Sequence, residues 1–134
     1  MTRWTLMLAA TALLGGCATA ADEAKRQAAS DRELAEALEG YTPGRTLDCI
    51  DPTFAGGPQL VGDSLLYRPS RGTLYRNVVA PNCPGFRGDQ VVVAELYGSR
   101  ICRNDRFRLV QRGGGGIPSA SCRFGPFVEY KKDR

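Results

Sequence analysis

Four cysteines, Cys49, Cys83, Cys102 and Cys122, are spread through the last two-thirds of this 134-residue chain at intervals of 34, 19 and 20 residues. Any fold must bring them together or leave them reactive. None of the intervals forms the short C-x₂₋₄-C knuckle of a zinc site, and an even, well-separated set reads as two disulfides. Three pairings are possible, and spacing does not choose among them. Each bridge contributes roughly 2–4 kcal/mol by restricting the unfolded chain. That is a large term for a body of fewer than about 100 residues, whose core is thin.

Disulfides persist in an oxidising compartment, and the N-terminus supplies a route to one. Residues 1–16, MTRWTLMLAATALLGG, have the layout of an export signal: Arg3 is the positive start, and Leu6 to Leu14 form an apolar stretch too short to span a bilayer. Two processing sites compete. Leu14-Gly15-Gly16-Cys17 gives an apolar residue, two small residues and then a cysteine, the order required for lipidation of Cys17. The alternative is cleavage after Ala20 in ATA, which would release a soluble periplasmic or secreted protein. The fifth cysteine has no partner in the even body set, and the alanine-rich acidic stretch after it suits a tether, so the lipoprotein reading is preferred. Cys17 would then carry diacylglycerol and a palmitate-type acyl chain as a membrane anchor. Ala18 in place of an aspartate directs the expectation to the outer membrane, facing the periplasm.

Residues 17–44 read as tether and short helix. The stretch 18–29, ATAADEAKRQAA, is small and polar, with no apolar stripe, and reads as a tether or a frayed helix, with a better-defined helix after it. Ser30 and Glu33 form a capping box, Leu34 and Leu38 share one helical face, and Gly40 stands where a left-handed C-terminal cap belongs. From residue 45 to 134 the period changes to two, with turn residues every 8–12 positions. Strands are expected over 46–50, 63–69, 72–79, 90–97, 106–112 and 124–130. Gly98-Ser99 fits a two-residue hairpin turn. PSRG (69–72) is a second tight connection, and GGGG (113–116) a flexible one. Phe107 and Leu109 should face inward, with Arg106 and Arg108 outward. Gly125-Pro126 breaks the last strand and points to an edge or closing position. The expected fold is mainly β, a small antiparallel barrel or sandwich of five to six strands, preceded by a short N-terminal helix.

The chain has no histidine, which removes the Ser-His-Asp and Cys-His nucleophile systems and the commonest general base. Asp48, Asp51 and Asp105 are the remaining carboxylates of interest, and an enzyme built on them would need two in one pocket. CRND (102–105) reads more simply as a turn in which Asn104 or Asp105 caps backbone amides. No catalytic residue, metal or cofactor is therefore expected.

Charge is divided unevenly. Residues 17–40 carry six acids against three bases, whereas 41–134 carry fourteen bases against eight acids, and twelve of those bases are arginine. Arginine suits bidentate contact with phosphate and carboxylate, so an anionic envelope polymer or an envelope protein is a fitting partner. An oligonucleotide-binding barrel, with Tyr67, Tyr75, Phe86, Tyr97 and Phe107 stacking on bases, is the less favoured use of the same features; the simpler role of these rings is to fill the core, and no nucleic acid is expected outside the cell. A small exported inhibitor of a protease or other hydrolase is a further alternative. For it, PNCPGFRG would be the binding loop, with Phe86 and Arg87 at its tip. Phe86, Arg87, Arg100 and Arg106 are the candidate partner-binding residues.

Taken together, DCID, GTLYRN, CPGFRGD, SRICRNDRFRLV and SCRFGPF resemble a recurrent four-cysteine pattern of small exported bacterial proteins, often lipoproteins, of unknown function. The resemblance covers about residues 46–128. It implies disulfides at Cys49, Cys83, Cys102 and Cys122 and an envelope protein of binding or structural role. It transfers no catalytic or ligand site.

Overall fold

The structure is a computed structural model that describes residues 15–52, 57–79, 83, 86, 89–113 and 121–134, with side chains from residue 19 onward. The apolar stretch read as an export signal, most of the 81–89 loop and residues 114–116 of the glycine run lie outside the described residues.

A single helix, α1 (Gly15–Ala37), occupies the N-terminal segment. It corrects the expected start at Ser30, which sits inside the helix. The cause is local: the segment before Ser30 is rich in alanine, the best helix former. Arg26 also pairs with Glu23, and Gln27 donates to Asp31 across one turn. A capping residue cannot begin a helix whose preceding turns are already formed. The C-terminal end is as expected. Gly40 takes φ +73°, and the Tyr41 amide donates to the Leu38 carbonyl at 3.1 Å. Residues 19–29 are exposed throughout, whereas Leu34, Ala37 and Leu38 dock on the body against Val61, Leu66 and Leu74. Ser30 marks the change. It lies over the turn at Gly62, which has φ +57°, and a Cβ there would come within 2.8 Å of the Ser30 carbonyl oxygen. The helix is therefore half docked and half projecting.

Among the described residues, ten strands follow, in three antiparallel sheets. They are β1 (Tyr41–Leu47), β2 (Cys49–Ile50), β3 (Gln59–Val61), β4 (Ser64–Ser70), β5 (Thr73–Val78), β6 (Gln90–Glu95), β7 (Ile101–Cys102), β8 (Arg106–Gln111), β9 (Cys122–Arg123) and β10 (Phe127–Lys132). The sheet orders are β1-β10-β5-β4-β3, β6-β8-β9 and β2-β7. None closes on itself, so the molecule is mainly β and sandwich-like rather than a barrel. The strand count exceeds five or six because four short pieces of two or three residues, β2, β3, β7 and β9, are also paired.

The main core lies between the five- and three-stranded sheets. Leu60, Leu65, Tyr67 and Phe127 come from the first, Phe107, Leu109 and Cys122 from the second, and Ile50 and Ile101 from β2 and β7. Phe124 joins them: its ring centroid is 4.5 Å from Phe107 and 6.0 Å from Phe127. Burial holds the Tyr67 hydroxyl protonated well beyond the ordinary tyrosine range. The alternation expected in β8 is present, with Phe107 and Leu109 buried and Arg106 and Arg108 exposed. In β5, by contrast, no single outer face exists. This strand is central in its sheet, so Leu74 packs under the helix while Tyr75 packs against the main core.

Two connections differ from expectation. β6 ends at Glu95 and pairs with β8 in unbroken register, from Gln90 opposite Gln111 to Glu95 opposite Arg106. Gly98-Ser99 is therefore not a hairpin turn. The segment 96–105 leaves the sheet so that β7 can pair with β2, Cys49 lying opposite Cys102. Gly125-Pro126 does not mark an edge along its whole length either. It hands the chain from β9, at the margin of the small sheet, to β10, which lies between β1 and β5. Asn77, fully buried, holds this corner: its Nδ2 donates to the Gly125 carbonyl at 2.7 Å, and its Oδ1 accepts from the Gly125 amide at 3.0 Å.

The disulfides are Cys49–Cys102 and Cys83–Cys122, spanning 53 and 39 residues. The pairing is crossed, first to third and second to fourth. One bridge staples β2 to β7; the other ties the exit of the five-stranded sheet to β9 of the smaller one. All four thiols are consumed, so none remains as a thiolate ligand.

Candidate functional site

The outer face of the three-stranded sheet is set by register. Partners directly opposite in an antiparallel pair share a face. Val91, Val93 and Glu95 of β6 therefore lie beside Val110, Arg108 and Arg106 of β8, and Arg106 lies opposite Arg123 of β9. The other face carries Phe107, Leu109 and Cys122 into the core. Because the inner positions are filled by these apolar residues, the outer positions are free to differ, and they combine valine with arginine.

Five large apolar side chains are exposed among the described residues: Val78, Val91, Val93, Leu96 and Tyr97. Four of them fall within seven residues of β6 and the segment that follows it. Tyr97 is 83 % exposed and Val93 49 %. Tyr97 also borders a shallow cleft of about 290 Å³ with Arg100, Cys102 and Asp105. An apolar stretch of this density on a small surface marks an interaction site more often than chance exposure does.

Charge frames the stretch. Arg108 pairs with Glu95 at 3.3 Å in a half-exposed bridge, which fixes position more than it adds stability. The Arg100 guanidinium donates to the Cys49 carbonyl at 3.2 Å, and Arg123 to the Asn104 carbonyl at 2.8 Å. These contacts stiffen the arginines while leaving them at the surface. Arg106 is exposed between Glu95 and Arg123.

The other expected residues are placed as follows. Cys17 lies near the far end of α1, thirteen residues before Ser30, or about 20 Å along the helix axis. Arg100 and Arg106 stand on the surface just described. Phe86 is half-buried and packs against the main core, so it is not a solvent-facing tip, and the inhibitor reading loses the contact on which it was built. Arg87 lies outside the described residues. Of the aromatic side chains considered for base stacking, Tyr67 and Phe107 are core, and Tyr75 and Phe86 pack against it; only Tyr97 faces solvent.

Among the described residues, Asp105 is the single carboxylate bordering the cleft. Its Oδ2 accepts from the Cys102 amide at 2.8 Å, and the Asp105 amide returns a bond to the Cys102 carbonyl at 3.1 Å. With Asn104 at φ +72°, this is the turn expected for CRND. Asp48 is well exposed and stands 4.0 Å from Arg103. The carboxylates are thus spread over separate roles.

Val91 and Val93 are not distinguished by the sequence of their own strand, because a run of consecutive apolar residues shows no alternation that separates a buried face from an exposed one. The signal was in the partner strand: the arginines of RFRLV require a solvent-facing side, and β6 must share it. No family model, curated protein or solved structure matches this chain.

Proposed function

We propose that this chain is an exported, lipid-anchored protein of the bacterial envelope that works by binding rather than by catalysis. The observation that carries the proposal is α1. Its docked half fixes the β-domain through Leu34, Ala37 and Leu38, and its exposed half, residues 19–29, leads away to Cys17. A helix whose outer half buries nothing has no packing role in the body, but it suits a spacer between a lipid and a folded domain. Two long-range disulfides support export, because such bridges persist in oxidising compartments and are rare in the cytosol. The resemblance to four-cysteine lipoproteins belongs to the same proposal. So does an outer-membrane location facing the periplasm. The exposed apolar stretch on β6 supports a binding role.

The test is fractionation. The wild-type protein is expected to sediment with outer membranes, and Cys17→Ser to appear unprocessed or in the soluble periplasmic fraction. An unchanged distribution of the variant would remove the anchor from the account.

A further inference from the structure

We propose that β6 accepts an extended, acidic segment of a partner polypeptide as an added strand. The inference rests on the binding role proposed above and narrows its partner.

The edges of the two larger sheets differ in how they are protected. Natural sheets blunt their edges with prolines, irregular register, short strands or covering elements, since a bare edge templates further pairing. β1 follows that rule: it contains Pro43, and its register shifts between Pro43 and Thr46. β3 is three residues long, and α1 lies against the turn that follows it. β9 has two residues. β6 departs from the rule. It runs for six residues without proline or break in register, and among the described residues it has one strand neighbour, β8. Its outward side chains are Val91 and Val93, half exposed. A strand added here gains main-chain hydrogen bonds along the edge. It also meets apolar side chains at every second position, the pattern by which added strands are recognised.

Charge selects the occupant. Arg106, Arg108 and Arg123 lie on the same outer face as Val91 and Val93, and Arg100 and Arg103 follow in the segment that leaves β6. Among the described residues Glu95 is the one acid on that face, and it is already paired with Arg108. An incoming strand with carboxylates at alternate positions would complement this row. A second copy of the chain would bring the same arginines to the same face, so self-pairing through β6 gains no charge complementarity.

The test is titration of the mature, oxidised protein with a short blocked peptide alternating glutamate and valine, followed by backbone amide shifts. A lysine–valine peptide serves as the charge control. The expected result is saturable shifts centred on residues 91–97, no binding of the lysine peptide, and affinity reduced at least tenfold by Val93→Glu. Arg106→Glu should also weaken binding severalfold. Val78→Glu replaces a comparably exposed valine on another strand and should leave binding intact, which separates loss of the site from loss of the fold. The inference is overturned by absence of binding or by equal binding of both peptides. A concentration-dependent dimer abolished by Val93→Glu overturns it in favour of a second copy. Dextran sulfate moving the arginine signals while the acidic peptide moves nothing overturns it in favour of an anionic polymer. The titration reads β6 and the fractionation reads Cys17, so failure of one is distinguishable from failure of the other.

Discussion

Replacing Cys49 and Cys102 together by alanine is expected to cost about 4 kcal/mol of stability, and replacing Cys83 and Cys122 nearly as much. Both values follow from chain entropy for loops of 53 and 39 residues. For a domain of this size the total stability is about 5–15 kcal/mol, so either double variant should melt roughly 15–30 °C below the parent. The crossed pairing shapes the result. Residues 83–102, which include β6 and β7, lie within both rings, so removing one bridge leaves them constrained by the other. The four-alanine variant should therefore lose far more order around β6 than either double variant, and it is expected to be unfolded at 37 °C. Thermal unfolding followed by circular dichroism, without reductant, measures each cost. A double variant within about 1 kcal/mol of the parent would contradict the assigned role of these bridges.

Asn77→Ala is expected to cost about 3 kcal/mol, although it removes only a small polar side chain. Asn77 is fully buried, and its amide group satisfies both the carbonyl and the amide of Gly125, with a longer contact to the Pro126 carbonyl at 3.3 Å. Truncation leaves buried main-chain groups without partners, at about 1–3 kcal/mol each. The corner is too tight to relax: a Cβ on Gly125 would lie 2.8 Å from the Val78 carbonyl oxygen. Asn77→Asp separates this account from simple packing loss. The aspartate would still accept from the Gly125 amide, but its other oxygen would face two carbonyls. Its folded-state pKa must then rise above the unfolded value, so stability is retained below the unfolded pKa and lost as pH rises through the folded one. Denaturant unfolding of Asn77→Asp at pH 4 and pH 7 should show a large difference, while Asn77→Ala should show the same modest trend as the parent.

The outline of the β-domain was legible because alternation in segments such as RFRLVQ reports one buried and one exposed face directly. The cap at Gly40 and the turn at CRND were legible because both depend on local chemistry. Other features depend on partners distant in sequence. Ser30 has the chemistry of a helix start, yet its neighbours Ala28 and Ala29 favour helix as strongly, and the capping pattern alone does not weigh them. Gly98-Ser99 suits a hairpin turn, but Cys102 is drawn to Cys49, and that pairing was one of three open possibilities. The mixed character of β5 followed from its central place in a sheet covered on both sides. The exposed valines of β6 became visible only through register with the arginines of β8. Tyr97 was considered as one of several aromatic side chains, and burial alone separates it from the rest.

Intact mass of the native protein, extracted from membranes without reductant, bears on the central claim most directly. The account predicts a chain beginning at Cys17, carrying diacylglycerol and an acyl chain, and lighter by four hydrogens for the two bridges. A chain beginning at Ala21 without lipid, or one whose four body cysteines are free thiols, would contradict it.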